Sequence, residues 1–164
     1  LFHRWVEQRS GLVGLGESID GIASERDDEL EHGPEAAALA RFQQTFERSP
    51  WAGLAPSEVE VEVHLPFDGR LVICKLDAVY TGDDGRIQIV DWKTGPSPKD
   101  DAELELRQLQ LALYRLAYAR WKGLDPAIVD AVFYYVGEDR ILRPERLDDE
   151  AALLARWRAA VPSA

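Results

Sequence analysis

Two β-rich runs, each carrying an aspartate and joined by a tight turn, constrain this chain more than any other feature. The first is Leu71–Tyr80, with Asp77 near its end. The second is Ile87–Gly95, with Asp91 and Lys93 two residues apart. Between them stands Gly82-Asp83-Asp84-Gly85, a cluster of turn formers, so the runs read as neighbouring antiparallel strands. Side chains alternate along a strand, so Asp91 and Lys93 share a face while Trp92 points into the opposite layer. Asp77 and Asp91 lie fourteen positions apart. Whether their carboxylates meet depends on strand register, which the sequence leaves open.

Those residue types have a definite chemistry. Two carboxylates held close together repel, and one resists ionisation unless a cation sits between them. A hard divalent ion such as Mg²⁺ prefers oxygen ligands and suits such a pair. A lysine beside it can stabilise charge on a phosphoryl group in transit, or position an attacking water. Asp77, Asp91 and Lys93 are therefore candidate catalytic residues of a metal-dependent phosphodiesterase.

Length and composition bound the rest. At 164 residues and 46% apolar content the chain is one domain with a real core. It has no apolar run near 18 residues, so no membrane helix is expected. No signal peptide is visible, and the single cysteine, Cys74, rules out an internal disulfide framework and a four-cysteine iron–sulfur cluster. A cytoplasmic location is the expectation. There is no methionine, even at position 1, from which we expect residues 1–164 to be one domain of a longer protein. The net charge of −11, from 30 acids against 19 bases, argues against a basic nucleic-acid-coating surface. It leaves room for an acidic site whose charge a bound metal offsets.

Taken in order, Leu1–Gln8 reads as a helix burying Phe2, Trp5 and Val6, with His3 beside that face. Taken alone, His3 reads as structural or solvated more readily than as a ligand. The acidic, glycine-rich stretch 11–33 reads as short turns with a mobile loop and a solvated face. Pro34 opens a helix to about Arg48 with Leu39, Phe42 and Phe46 inward. From Ser57 to Pro66 alternation is strict, putting Val59, Val61, Val63 and Leu65 on one face and Glu58, Glu60, Glu62 and His64 on the other. A turn at 67–70 leads into the Asp77 strand.

After a two-proline loop, Asp100 or Asp101 caps a helix running to Lys122, which Gly123 ends. Leu106, Leu109, Leu113 and Leu116 form its predicted core stripe. Arg107, Gln110, Tyr114 and Tyr118 form a bordering polar stripe, which reads equally as a substrate edge or as a wet helix boundary. Ala127–Val136 is an apolar strand expected near the sheet's centre. A short strand at Ile141-Leu142 follows. The last helix, capped by Asp148 or Asp149, buries Leu153, Leu154 and Trp157. The elements together predict an α/β fold, a mixed central sheet flanked by helices.

With these residues in place, the chain resembles the PD-(D/E)XK nuclease superfamily in its RecB-like branch. That branch occurs at the C-termini of UvrD/Rep-type helicases and of the actinobacterial AdnAB helicase–nucleases. The matching pieces are Phe2-His3-Arg4-Trp5-Val6-Glu7, Lys75-Leu76-Asp77-Ala78-Val79-Tyr80, Val90-Asp91-Trp92-Lys93-Thr94-Gly95 and Gln110-Leu111-Ala112-Leu113-Tyr114. The resemblance implies a restriction-endonuclease-like core that cleaves single-stranded DNA or DNA ends with Mg²⁺ or Mn²⁺. It implies His3, Asp77, Asp91 and the Trp92 carbonyl as metal ligands and Lys93 as the catalytic lysine. Gln110 and Tyr114, with Arg107 beside them, would orient the site or bind substrate. It further implies a helicase motor as partner and a role in double-strand-break processing or repair. Cys74-Lys75 stands where relatives often carry Gly-Arg, and Lys75 keeps the charge. No Gly-x-x-x-x-Gly-Lys-[Ser/Thr] is present, so an ATP-driven motor must lie outside these residues. Two other readings stand beside the nuclease: an inactive DNA-end-binding or docking module on the same fold, and an acidic interaction domain whose aspartates are only turn and edge residues.

Overall fold

The computed structural model describes residues 2–10 and 34–160; the acidic 11–33 segment singled out above lies outside them. Five strands form one sheet in the order β1-β2-β3-β4-β5: β1 Glu58–Phe67, β2 Arg70–Thr81, β3 Ile87–Lys93, β4 Val129–Tyr135 and β5 Arg140–Leu142. Only β3 and β4 run parallel, joined by the long helix α3, Asp101–Lys122. The other pairs are antiparallel. The expected mixed sheet flanked by helices is therefore the fold, with β3 in the middle and β4 beside it. No helix among the described residues is long and apolar enough to cross a membrane.

Alternation along β3 and β4 divides the core into two layers. Ile87, Ile89, Val129, Ala131, Phe133 and Tyr135 pack under α3 and α4, Glu150–Ala160. Val90, Trp92, Val132 and Tyr134 pack on the other side, with Phe2 and Val6 of α1, Phe2–Ser10, and Phe46 of α2, Pro34–Glu47. Trp92 meets Phe46, Trp51 and Tyr134 edge-on at 5.3, 5.4 and 6.1 Å, a geometry that aligns ring edges with π faces. These rings fix the strand that carries Asp91 and Lys93.

Local chemistry sets the connections. Asp68 and Gly69 both take positive φ, at 50° and 73°, as a two-residue hairpin turn requires. Asp100 caps α3 by accepting the Glu103 N–H at 2.8 Å, and Gly123 closes it in the left-handed region at φ 66°. Asp149 caps α4 through the Ala152 N–H at 2.9 Å. Asp100→Ala should destabilise the domain by about 1 kcal/mol in urea denaturation, because it orphans a helix N–H.

Three expectations fail for identifiable reasons. Strict alternation put Val59, Val61, Val63 and Leu65 on one face, yet Val59 packs with the α1 layer while Val63 and Leu65 pack under α3. The interruption is Glu60, whose φ of 49° breaks the pleat. The ladder steps from Val59–Ala78 to Val61–Leu76, so Glu60 falls opposite Asp77 at the step it skips. Strand β2 switches layers at that step too: Cys74 and Leu76 belong to one layer, Ala78 and Tyr80 to the other. Leu106, predicted inward, is 58% exposed, in the open cleft that Leu109, Arg156 and Ala160 also line. Tyr118, predicted on a polar edge, is buried and donates to Glu58 at 2.6 Å. Cys74 is a buried free thiol whose pKa burial pushes up to about 11, so it is inert.

Candidate active site

The register left open by the sequence brings the two aspartates together. The β2–β3 ladder runs from Thr81–Ile87 to Ala78–Val90, and the next step in that register is Asp77–Asp91. There the strands stop pairing, and Asp77 Oδ2 accepts the Trp92 N–H at 2.8 Å. The two carboxylates thus sit where β2 and β3 part, at the point where β2 changes layers. On the other side of β3, parallel pairing sets Asp91 beside Phe133 and Lys93 beside Tyr135.

Among the described residues Asp91 is the only charged residue that is fully buried, at 4% exposure. Burial, reinforced by the Asp77 carboxylate, pushes its pKa up to about 7, against the opposing pull of Lys93. Lys93 Nζ lies 2.8 Å from Asp91 Oδ2 and 5.0 Å from the centre of the Phe133 ring. Asp91 Oδ2 is buried, with the Lys93 ammonium as its ionic partner and no further donor among the described residues. A buried carboxylate oxygen in that condition retains lone pairs for another cation.

His3 reaches the same place from α1. Its Nε2 lies 2.6 Å from the Trp92 carbonyl oxygen and 3.4 Å from Asp77 Oδ2. The hydrogen bond to Asp77 raises the histidine pKa, which outweighs burial. A proton on Nε2 therefore points at a carbonyl and a carboxylate, two groups that attract cations.

From the other layer, α3 contributes a chain of polar side chains. Gln110 Nε2 donates to Tyr114 Oη at 2.6 Å, and Arg107 donates to Gln110 Oε1 at 3.3 Å. Tyr114 is 8% exposed, and burial with the nearby Asp91 charge raises its pKa, so it stays a neutral hydroxyl. Arg107 is exposed at the rim, with its guanidinium 6.0 Å from the Phe133 ring centre. The structure thus gathers His3, Asp77, Asp91, Trp92 and Lys93 around one point, with Tyr114 close enough for the Asp91 charge to act on its hydroxyl. Gln110 and Arg107 extend from it toward solvent.

Two neighbours escaped the sequence reading. Phe133 gives Lys93 and Arg107 a cation–π surface. The Tyr135 hydroxyl is buried without a hydrogen-bond partner among the described residues. Both lay inside an apolar run whose only signal was strand-like; the parallel register alone sets them beside Asp91 and Lys93.

The donor set is two carboxylates, a peptide carbonyl and an imidazole, which suits Mg²⁺ or Mn²⁺ in chemistry. Among the described residues no group of three or more His, Cys, Asp and Glu is spaced to hold an ion as it stands. His3 and Asp77 are closed on the Trp92 peptide, and Asp91 on Lys93. The donor types are those a divalent ion takes, and the Lys93 ammonium lies beside them at 2.8 Å from Asp91 Oδ2.

A family model described as the PD-(D/E)XK nuclease superfamily matches residues 1–164. No curated protein matches the chain. Among solved structures, one described as the crystal structure of SSO0001 is similar over 75% of this chain and 56% of that chain, at 20% identity and a TM-score of 0.39. The chain thus spans just over half the length of that protein.

Proposed function

The chain belongs to the PD-(D/E)XK nuclease superfamily, and on that premise we propose that it is a metal-dependent deoxyribonuclease domain. The observation that carries this reading is the meeting of Asp77, Asp91 and Lys93 where β2 and β3 part, with His3 closing on the same peptide. His3, Asp77, Asp91 and the Trp92 carbonyl would hold Mg²⁺ or Mn²⁺. When bound, that ion would polarise a phosphodiester and lower the pKa of a water.

The chain's own groups do the rest. Lys93 orients the attacking water and balances charge that grows on the phosphoryl oxygens. Asp91, with its proton released to solvent, would offer a full negative charge to the ion. Tyr114, held by Gln110, fixes the α3 wall of the site, and Arg107 meets the substrate backbone at the rim. Water attacks phosphorus, the P–O3′ bond breaks, and the products are a 5′-phosphate and a 3′-hydroxyl. Within the superfamily we assign the chain to the RecB-like branch, as an exonuclease domain of a longer cytoplasmic protein whose helicase motor delivers DNA for repair. The four quoted motifs support that assignment.

Cleavage of labelled single-stranded DNA with Mn²⁺, compared with EDTA, tests the activity. Metal binding has its own readout. Millimolar Mn²⁺ should raise the melting temperature of the wild type by several degrees and leave Asp77→Ala unchanged. An equal shift in both proteins would place the ion elsewhere.

One observation favours a second reading, an inactive DNA-end-binding or docking module. His3, Trp92 and Asp77 form a closed hydrogen-bonded set that needs no metal. A melting temperature indifferent to Mn²⁺, together with DNA binding and no cleavage, would support it.

A further inference from the structure

At the start of β3 and β4, the end of the sheet away from Asp91 and Lys93, lies a pocket of about 470 Å³. Arg86, Arg115, Arg143 and Arg146 line it, with Asp130 and Glu145 as the acids. Four guanidiniums against two carboxylates leave positive charge in excess, on a chain whose net charge is −11. Arg143 is committed to Asp130 at 2.7 Å, and Arg86 donates one bond to the Ala127 carbonyl at 3.2 Å. Among the described residues Arg115 and Arg146 have no partner at all. Four guanidiniums with only two carboxylates among them leave uncompensated positive charge, so an anion that bridges them would be favoured.

The kind of anion follows from geometry. A carboxylate offers two coplanar oxygens and satisfies one guanidinium fork. A phosphate offers oxygens in several directions and can receive forks from several sides. The seven residues of β3 span about 20 Å from this pocket to Lys93. We propose that the pocket is a second binding site, for phosphate groups, and that it holds a nucleic-acid strand about 20 Å from the cleavage centre. The strand assignment rests on the nuclease reading; affinity for phosphate does not.

The test is the double variant Arg115→Ala/Arg146→Ala of the 164-residue chain, with Arg115→Lys/Arg146→Lys as the charge-retaining control. Fluorescence anisotropy in EDTA would follow labelled thymidine oligomers of about 4 and about 20 nucleotides across a salt series. The alanine pair should bind the long oligomer about tenfold more weakly and lower its salt slope by about 1.4, because two single-strand phosphates are no longer neutralised. The lysine pair should recover most of the affinity, and the short oligomer, which cannot span the pocket and the cleavage centre together, should lose less affinity in the alanine pair than the long one. Calorimetry with inorganic phosphate separates the sources. If phosphate binding is lost in the alanine pair while long-oligomer binding is unchanged, the pocket takes free phosphate and the strand assignment is overturned. If the wild type binds neither probe, or the alanine pair binds both as the wild type does, the phosphate site is overturned. Cleavage of the short oligomer with Mn²⁺ should be equal in wild type and alanine pair. Loss of cleavage from the wild type itself would count against the nuclease reading, not against the pocket.

Discussion

Lys93→Ala should lower Mn²⁺-dependent cleavage of single-stranded DNA by about a thousandfold while leaving the fold intact. Removing one preorganised charge from a water-poor site costs about a hundred- to a thousandfold in turnover. A second effect adds to it here. Lys93 is the cation 2.8 Å from Asp91, and its pull is what opposes protonation of that carboxylate. Without it Asp91 holds its proton more tightly and offers less charge to a metal. The loss should therefore fall mainly on kcat, and higher pH should recover part of it. The variant should keep its cooperative melting transition, since Lys93 is only half-buried and lies over Phe133 rather than within the core. Cleavage within about fivefold of wild type would remove Lys93 from the mechanism.

Asp91→Asn should make the metal-free domain more stable at neutral pH and abolish cleavage. The sign follows from proton linkage. Asp91 titrates near 7 in the folded protein, well above its ordinary range. Between about pH 4 and 7 the folded state holds a proton that the unfolded chain has released, so stability falls as pH rises through that window. The full penalty is present above pH 7 and absent below about pH 4. An asparagine carries no such penalty, but it leaves Lys93 without its counter-ion. The net gain at pH 8 should be about 2 kcal/mol, and near zero at pH 4. Urea denaturation in EDTA at pH 4, 6 and 8 measures it. A difference that is constant with pH would show that Asp91 ionises normally. His3 adds a term of the same sign: its raised pKa gives stability that is complete below its unfolded value and lost as pH rises through the folded one. Because Mn²⁺ must displace these protons, the metal-induced rise in melting temperature should be larger at pH 8 than at pH 6.

The asparagine experiment also separates function from folding. A buried acid that destabilises the empty site is what a catalytic carboxylate looks like before its cation arrives. A purely structural Asp91 would show no conflict between stability and activity.

Much of the fold could be read from local chemistry. The turns at 67–70 and 82–85, the Asp100 cap and the Gly123 stop follow from backbone preferences that act within a few residues. The apolar runs gave the strands and the turn between them gave their antiparallel pairing, while the register of that pair came only with the packed sheet. Errors arose where one residue depended on a distant one. Glu60 takes a positive φ, which its residue type does not announce, and with it Val59 and Val63 part into different layers. Leu106 has the spacing of a core residue, but the first turns of α3 lie over an open cleft.

The candidate site divides along the same line. Residue type and spacing by themselves determined that Asp91 and Lys93 share a face and that Trp92 anchors the strand from behind, because alternation is a property of the chain. Only the tertiary structure decided that Asp77 stands beside Asp91 where the ladder ends, that His3 closes on the Trp92 peptide, and that Phe133 lies beneath Lys93. The same holds for the buried charge of Asp91: its pKa is raised by desolvation and by a neighbour fourteen residues away, and neither exists until the layers pack.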